Sequence, residues 1–241
     1  MSTLRNQSLR AMGIPVWVRR RAEGAARAGS GEAITAVVAN PVEVVQKPAS
    51  VSVPATADWE SLAESVRLCK RCGLHATRTQ TVFGVGRRDA ALMVIGEAPG
   101  AEEDRQGEPF VGPAGQLLNA MLRAIKLRRE DVYIANILKC RPPNNRDPKP
   151  EEAATCTPYL NRQIELLRPR VMLGLGRIAG QWLLQSELSI GRLRGQVAQY
   201  GDAGVPLVVT YHPAYLLRSP LAKAKAWQDL CLVRDLLESQ R

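Results

Sequence analysis

From residue 59 onward, two kinds of apolar pattern take turns along the chain. Ala91-Leu92-Met93-Val94-Ile95 is an unbroken apolar run without polar alternation, the signature of a parallel strand buried on both faces. Asp131 to Leu138, Arg170 to Leu175 and Pro206 to Thr210 read as further strands. Between them the period becomes helical. Trp59, Leu62, Val66 and Cys69 recur at three- and four-residue steps, with Thr56 or Asp58 placed to cap the helix. Ala114 to Ile125 offers Leu117, Leu118, Met121, Leu122 and Ile125 as one face. Pro150-Glu151-Glu152 opens a helix to about Leu167, and another follows Gly176 as far as Leu184. Leu221 to Ser239 forms the last helix, burying Ala224, Trp227, Leu230, Cys231 and Leu237. Thr77 to Asp89 reads as polar, glycine-containing connection. Strands alternating with helices predict a three-layer α/β/α sandwich around a central four-stranded parallel sheet.

Chemistry gathers where the strands stop. The first strand runs into Gly96-Glu97-Ala98-Pro99-Gly100, and Pro99-Gly100 forces a turn. An acidic stretch (Glu102, Glu103, Asp104), Pro109-Phe110 and Gly112-Pro113-Ala114-Gly115 follow. Asn136, Gly176 and His212 end or follow the other strands. Open α/β sheets bind ligands outside the carboxyl ends of their strands, so Glu97 marks the chemical centre.

Totals narrow the class of partner. The chain of 241 residues carries 33 Lys and Arg against 23 Asp and Glu, a net charge of +10. That excess favours a polyanion, most simply nucleic acid, with an anionic membrane surface as the plainer competitor. No apolar run approaches the ~18–20 residues that span a bilayer. Residues 1–56 differ from the rest: Ala, Gly, Val, Pro and Ser dominate Ala22 to Ala57, which reads as a disordered linker ahead of a folded domain over 57–241. The apolar segment around Trp17, beside Arg19, Arg20 and Arg21, suits docking on a partner protein or on DNA. The N-terminus lacks a secretory signal, but it is Arg-rich and free of acids until Glu23, so a mitochondrial transit peptide is an alternative to a bacterial cytoplasmic, nucleoid-associated protein.

Five cysteines, an odd number, argue for metal binding over a disulfide framework. Cys69 and Cys72 form a CxxC pair; Cys140 and Cys156 supply a second pair, leaving Cys231 on an apolar helix face. Four thiolates suit tetrahedral Zn²⁺ or a [4Fe–4S] cluster, and spacing does not separate the two. His75 lies close by in sequence but reads as an ordinary surface histidine.

Taken together, Gly96-Glu97-Ala98-Pro99-Gly100, Glu103-Asp104, Pro109-Phe110-Val111-Gly112, Asn136 to Pro143 and His212-Pro213-Ala214-Tyr215-Leu216-Leu217-Arg218 resemble the three motifs of the family 4 uracil-DNA glycosylases. The resemblance covers about Trp59 to Leu237. It implies a uracil-DNA glycosylase-like fold, a [4Fe–4S] cluster on Cys69, Cys72, Cys140 and Cys156, and uracil-containing double- or single-stranded DNA as partner; the chain is expected to be a monomer. Some members of the family look like partners of replication proteins, a task the Trp17 segment could serve.

Such an enzyme flips a nucleotide from the duplex, at roughly a few kcal/mol, and reads its Watson–Crick edge. By resemblance Phe110 stacks on uracil, and Gly96 belongs to the same pocket. The Asn136 amide matches the O4 acceptor and N3–H donor of uracil, the opposite of cytosine's pattern. His212 donates to uracil O2 as negative charge develops, and Glu97 positions water and favours the oxocarbenium-like sugar. Glu103 matches a position near uracil C5 that excludes thymine; Leu216 matches the wedge that replaces the flipped base; Arg218, Lys139 and Arg141 match phosphate contacts. A covalently trapped relative carries a histidine in the loop after the second motif, and none stands between Arg141 and Thr155. A non-enzymatic iron–sulfur DNA-binding or electron-transfer module, or a zinc-binding interaction protein, would explain charge and cysteines but leave Glu97, Asn136 and His212 without a task.

Overall fold

The computed structural model describes Pro54 and residues 56–239. The Trp17 segment, and the reading of 1–56 as a linker, lie outside the described residues apart from its last positions. The first helix, α1 (Trp59–Arg67), is capped by Asp58, whose carboxylate accepts from the Ser61 amide at 2.8 Å; Leu62 and Val66 are its buried face.

Strands β1 (Val85–Gly86), β2 (Leu92–Gly96), β3 (Tyr133–Asn136), β4 (Val171–Leu175), β5 (Val197–Tyr200) and β6 (Val205–Thr210) form one sheet in the order β1-β3-β2-β4-β6-β5. The central four, β3-β2-β4-β6, are all parallel. Their carboxyl ends therefore share one edge. The chain passes from β2 to β3 on one side and later returns to β4 on the other, so the edge beside β2 is a topological switch point.

Two antiparallel edge strands extend the expected sheet of four to six: β1 pairs with β3 and β5 with β6. Neither announces itself. β1 has only two residues, and β5 alternates exposed with half-buried positions in a polar setting. Alternate residues within the central strands serve opposite layers. Met93 and Ile95 pack with α1, with α4 (Pro150–Leu167) and with α5 (Arg177–Leu183). Leu92 and Val94 pack with α3 (Pro113–Ala124) and α8 (Lys223–Ser239). This is a three-layer α/β/α sandwich. Three short helices were not legible as such: α2 (Ala101–Gln106), α6 (Ile190–Leu193) and α7 (Pro213–Arg218).

The face of α8 differs from the expected one. Ala224 is exposed, while Ala226, Asp229, Leu230 and Val233 are buried. Asp229 is tolerated inside because it receives Arg194 at 2.7 and 3.0 Å and the Thr210 hydroxyl at 2.7 Å. The same contacts fix the end of β6, just ahead of His212. No helix among the described residues is long and apolar enough to cross a membrane.

Candidate active site at the carboxyl edge of the sheet

Gly96 and Asn136 are paired neighbours at the ends of β2 and β3. A Cβ on Gly96 would lie 2.4 Å from Asn136 Oδ1 and 2.7 Å from Phe110 Cζ, so only glycine lets the amide and the ring come this close. Asn136 is 1% exposed, and its Oδ1 is buried with no hydrogen-bond partner. A buried orphan acceptor costs about 1–3 kcal/mol, a cost that a ligand donor would offset. The His212 ring lies 5.6 Å from that of Phe110, tilted by 32°.

His212 Nδ1 accepts from the Ala214 amide at 3.1 Å, which places the ring proton on Nε2. Burial, reinforced by Arg218, pushes its pKa down to about 4 despite the opposing Glu103. At neutral pH it is a neutral imidazole with one N–H to give.

Phe110 is held in an unusual backbone conformation, with φ of 56°. Three neighbours impose it. Arg129 donates to the Phe110 carbonyl at 3.2 Å and to that of Pro109 at 2.5 Å. Glu103 accepts from Val111 and Gly112 on one oxygen, at 3.2 and 3.4 Å, and from Gly100 on the other, at 3.1 Å. Gly115 completes the clamp, since a Cβ there would fall 1.8 Å from the Phe110 carbonyl oxygen. Arg129 escaped the sequence reading because it sits in the run Arg128-Arg129-Glu130, which looks like an ordinary charged turn.

Glu97 follows β2 directly and is half-buried. Burial, with Asp147 adding to it and Arg177 opposing, pushes its pKa up to about 7. Arg177 and Asp147 are themselves paired at 3.1 Å. Glu97 is thus poised between its protonated and ionised forms near neutrality.

Gly96, Glu97, Phe110, Asn136 and His212 all stand on this edge, whereas two other expectations need correction. Lys139 is 1% exposed, and its Nζ donates to the Asn136 carbonyl at 2.8 Å and to Gln163 Oε1 at 2.7 Å, so it cannot grip a phosphate. Leu216 is fully buried against the α3 and α8 layer, which rules it out as a wedge in this conformation; Leu217, 46% exposed, is its outward neighbour. The Glu103 carboxylate accepts from backbone amides of the Phe110 loop, a positioning duty that the sequence did not suggest. Arg218 is exposed, and Arg141 is half-buried with its Nε on Asn145 Oδ1 at 2.7 Å.

Cys69, Cys72, Cys140 and Cys156 line a single cavity, together with Arg78 and Lys139. All are free thiols. Arg78 donates to Cys140 Sγ at 2.9 Å and to the Cys69 carbonyl at 2.9 Å, while the Lys139 amide donates to Cys156 Sγ at 3.2 Å. Burial pushes the Cys156 thiol up to about 12. Thiolates here call for a strongly cationic occupant. Among the described residues no three His, Cys, Asp or Glu side chains are grouped to hold one ion. His75 turns its Nδ1 to the Cys72 carbonyl at 2.7 Å.

An aromatic ring, an amide with an orphan acceptor and a neutral imidazole at the switch point of a parallel sheet define an α/β protein built to hold a planar heterocycle. The model of the uracil DNA glycosylase superfamily matches residues 83–231. The type-4 uracil-DNA glycosylase of Archaeoglobus fulgidus is 47% identical over 186 residues, covering 73% of this chain and 94% of the relative. That of Thermotoga maritima is 46% identical over 161 residues, 66% of this chain and 83% of the relative. A type-5 enzyme from Pyrobaculum aerophilum stands further off, 32% identical over 148 residues, 54% of this chain and 64% of the relative. The chain belongs to the uracil-DNA glycosylase superfamily, on its type-4 branch.

Proposed function

We propose that this protein excises uracil from DNA as a monofunctional glycosylase, hydrolysing the N-glycosidic bond and leaving an abasic site for base excision repair. The observation that carries the reading is the orphan Oδ1 of Asn136, buried beside Phe110 across the bare backbone of Gly96. Uracil N3–H would satisfy it, and the amide nitrogen would meet O4. Cytosine would leave buried groups unpaired. Phe110 supplies the stacking face. His212, neutral and protonated on Nε2, donates to O2 as charge moves onto the departing base, without a proton having to leave the protein. Glu97, once ionised, orients water and stabilises the cationic sugar.

Leu217 is the better candidate for the wedge, being the exposed apolar residue of the motif, with Arg218 beside it for a phosphate. The four-cysteine donor set suits a [4Fe–4S] cluster, the group that the likeness to the type-4 enzymes implies. Bound there, the cluster would supply a rigid staple between α1, the segment after β3 and α4. The hydrolytic groups lie on the strand ends. A bacterial cytoplasmic setting and a monomeric state complete the proposal, and docking of a replication or repair protein would fall to the Trp17 segment.

A single-uracil oligonucleotide treated with the protein, then with alkali, tests the reading on a denaturing gel. A short product seen only after alkali is expected. A heat-stable shifted band would mean covalent trapping, and intact DNA from cluster-loaded protein would leave only a binding module.

A further inference from the structure

The Lys139 amine is buried with no carboxylate bonded to it among the described residues. Its Nζ has the Asn136 carbonyl at 2.8 Å and Gln163 Oε1 at 2.7 Å, both neutral. Gln163, fully buried on α4, is itself held by its Nε2 donating to the Phe83 carbonyl at 2.9 Å and to Tyr133 Oη at 3.1 Å. The Lys139 main chain is equally committed: its carbonyl accepts from Val82 at 2.8 Å and its amide donates to Cys156 Sγ. Burying an amine costs desolvation that an apolar side chain filling the same space would not. The return visible in the structure is local. Asn136 ends β3, paired with Gly96, and its side-chain oxygen has no partner to set its direction. The main chain beyond it is held by the Ile137 amide on the Gly96 carbonyl and the Leu138 amide on the Glu97 carbonyl, both at 3.0 Å, and its own carbonyl is held by Lys139.

We infer that Lys139 is a positioning residue for base selection, clamping the end of β3 through the Asn136 carbonyl so that the Asn136 amide meets the Watson–Crick edge at one fixed angle. The inference rests on the reading of Asn136 given above. Gln163 is the outer anchor of the clamp, and the amide of Lys139 on Cys156 ties it to the cysteine cradle.

The test compares cluster-loaded wild type with Lys139→Met, Asn136→Ala and the double variant, on single-turnover excision of uracil and on inhibition by free uracil. Lys139→Met keeps the main-chain bond to Cys156, so its visible cluster absorbance per chain should match wild type. Its excision rate should fall about 100-fold, the loss expected when reacting groups shift by about 1 Å. Its affinity for free uracil should fall as well. In the Asn136→Ala background the same substitution should cost nothing further, because the lysine acts through that residue. Losses that multiply, or uracil affinity that does not change, would overturn the inference. Should Lys139→Met not fold, Gln163→Met leaves the lysine and its bond to Asn136 in place and should show a smaller loss with the same uracil-affinity signature; undiminished affinity there overturns the clamp. Wild type that releases no uracil refutes the reading of the pocket and this inference with it, whereas wild-type turnover with an indifferent Lys139→Met refutes the clamp alone.

Discussion

If Glu97 must be ionised to act, the rate of uracil excision should carry its titration. The half-buried carboxyl loses hydration, feels the charge of Asp147, and is lifted from 4.5 to about 7. His212, held near 4, stays neutral throughout the working range and adds no limb there. Single-turnover excision measured from about pH 5 to about pH 9 should therefore rise with unit slope and level off above pH 7, with a loss of about 100-fold two units below the bend. Asp147→Asn removes the charge that raises Glu97 and frees Arg177 to lower it, so the bend should move to lower pH. Arg177→Gln should move it the other way. Glu97→Gln should abolish the bend and cost about 10²–10⁴-fold in rate. A profile flat across the range, or a bend that ignores both Asp147→Asn and Arg177→Gln, would refute the assignment of Glu97. Stability should run oppositely: the raised pKa lets the native state hold an extra proton between 4.5 and about 7, so this group's contribution declines as pH rises through that window.

Gly96→Ala should leave the fold intact but drive a methyl group against Asn136 Oδ1 and Phe110, lowering excision about 100-fold as gel product accumulates more slowly. Leu216→Ala should cost about 2–5 kcal/mol in denaturant unfolding, as a fully buried leucine does. Leu217→Ala should be near neutral for stability and should slow excision from duplex more than from single-stranded DNA; equal effects on both substrates would remove it as the wedge. Cys140→Ala, at a buried position, should bleach the visible absorbance of the loaded protein and lower its melting temperature; unchanged folding and activity without the cluster would refute a structural role.

Much of this molecule was legible along the chain. Buried strands are continuous apolar runs, and helices are periodic, so β2, β4 and α4 could be read almost to the residue. Gly96, Glu97, Asn136 and His212 could be placed at strand ends, because parallel strands bring every carboxyl end to one edge. Pairing and packing were not legible. β1 is too short to carry a period, and β5 is polar enough to pass for loop. No local pattern distinguishes Leu216, facing the core, from Leu217 beside it, facing out, because the turn of α7 against α3 decides which points inward. Lys139 reads in sequence as one more cation of a basic protein; its burial follows from Gln163, which arrives from a distant helix. Arg129 and Glu103 likewise acquire their duties only when the Phe110 loop folds onto them. Residue types and periods set the sheet and the chemistry at its edge, while the direction of each side chain is a property of packing, decided by partners far away in the chain.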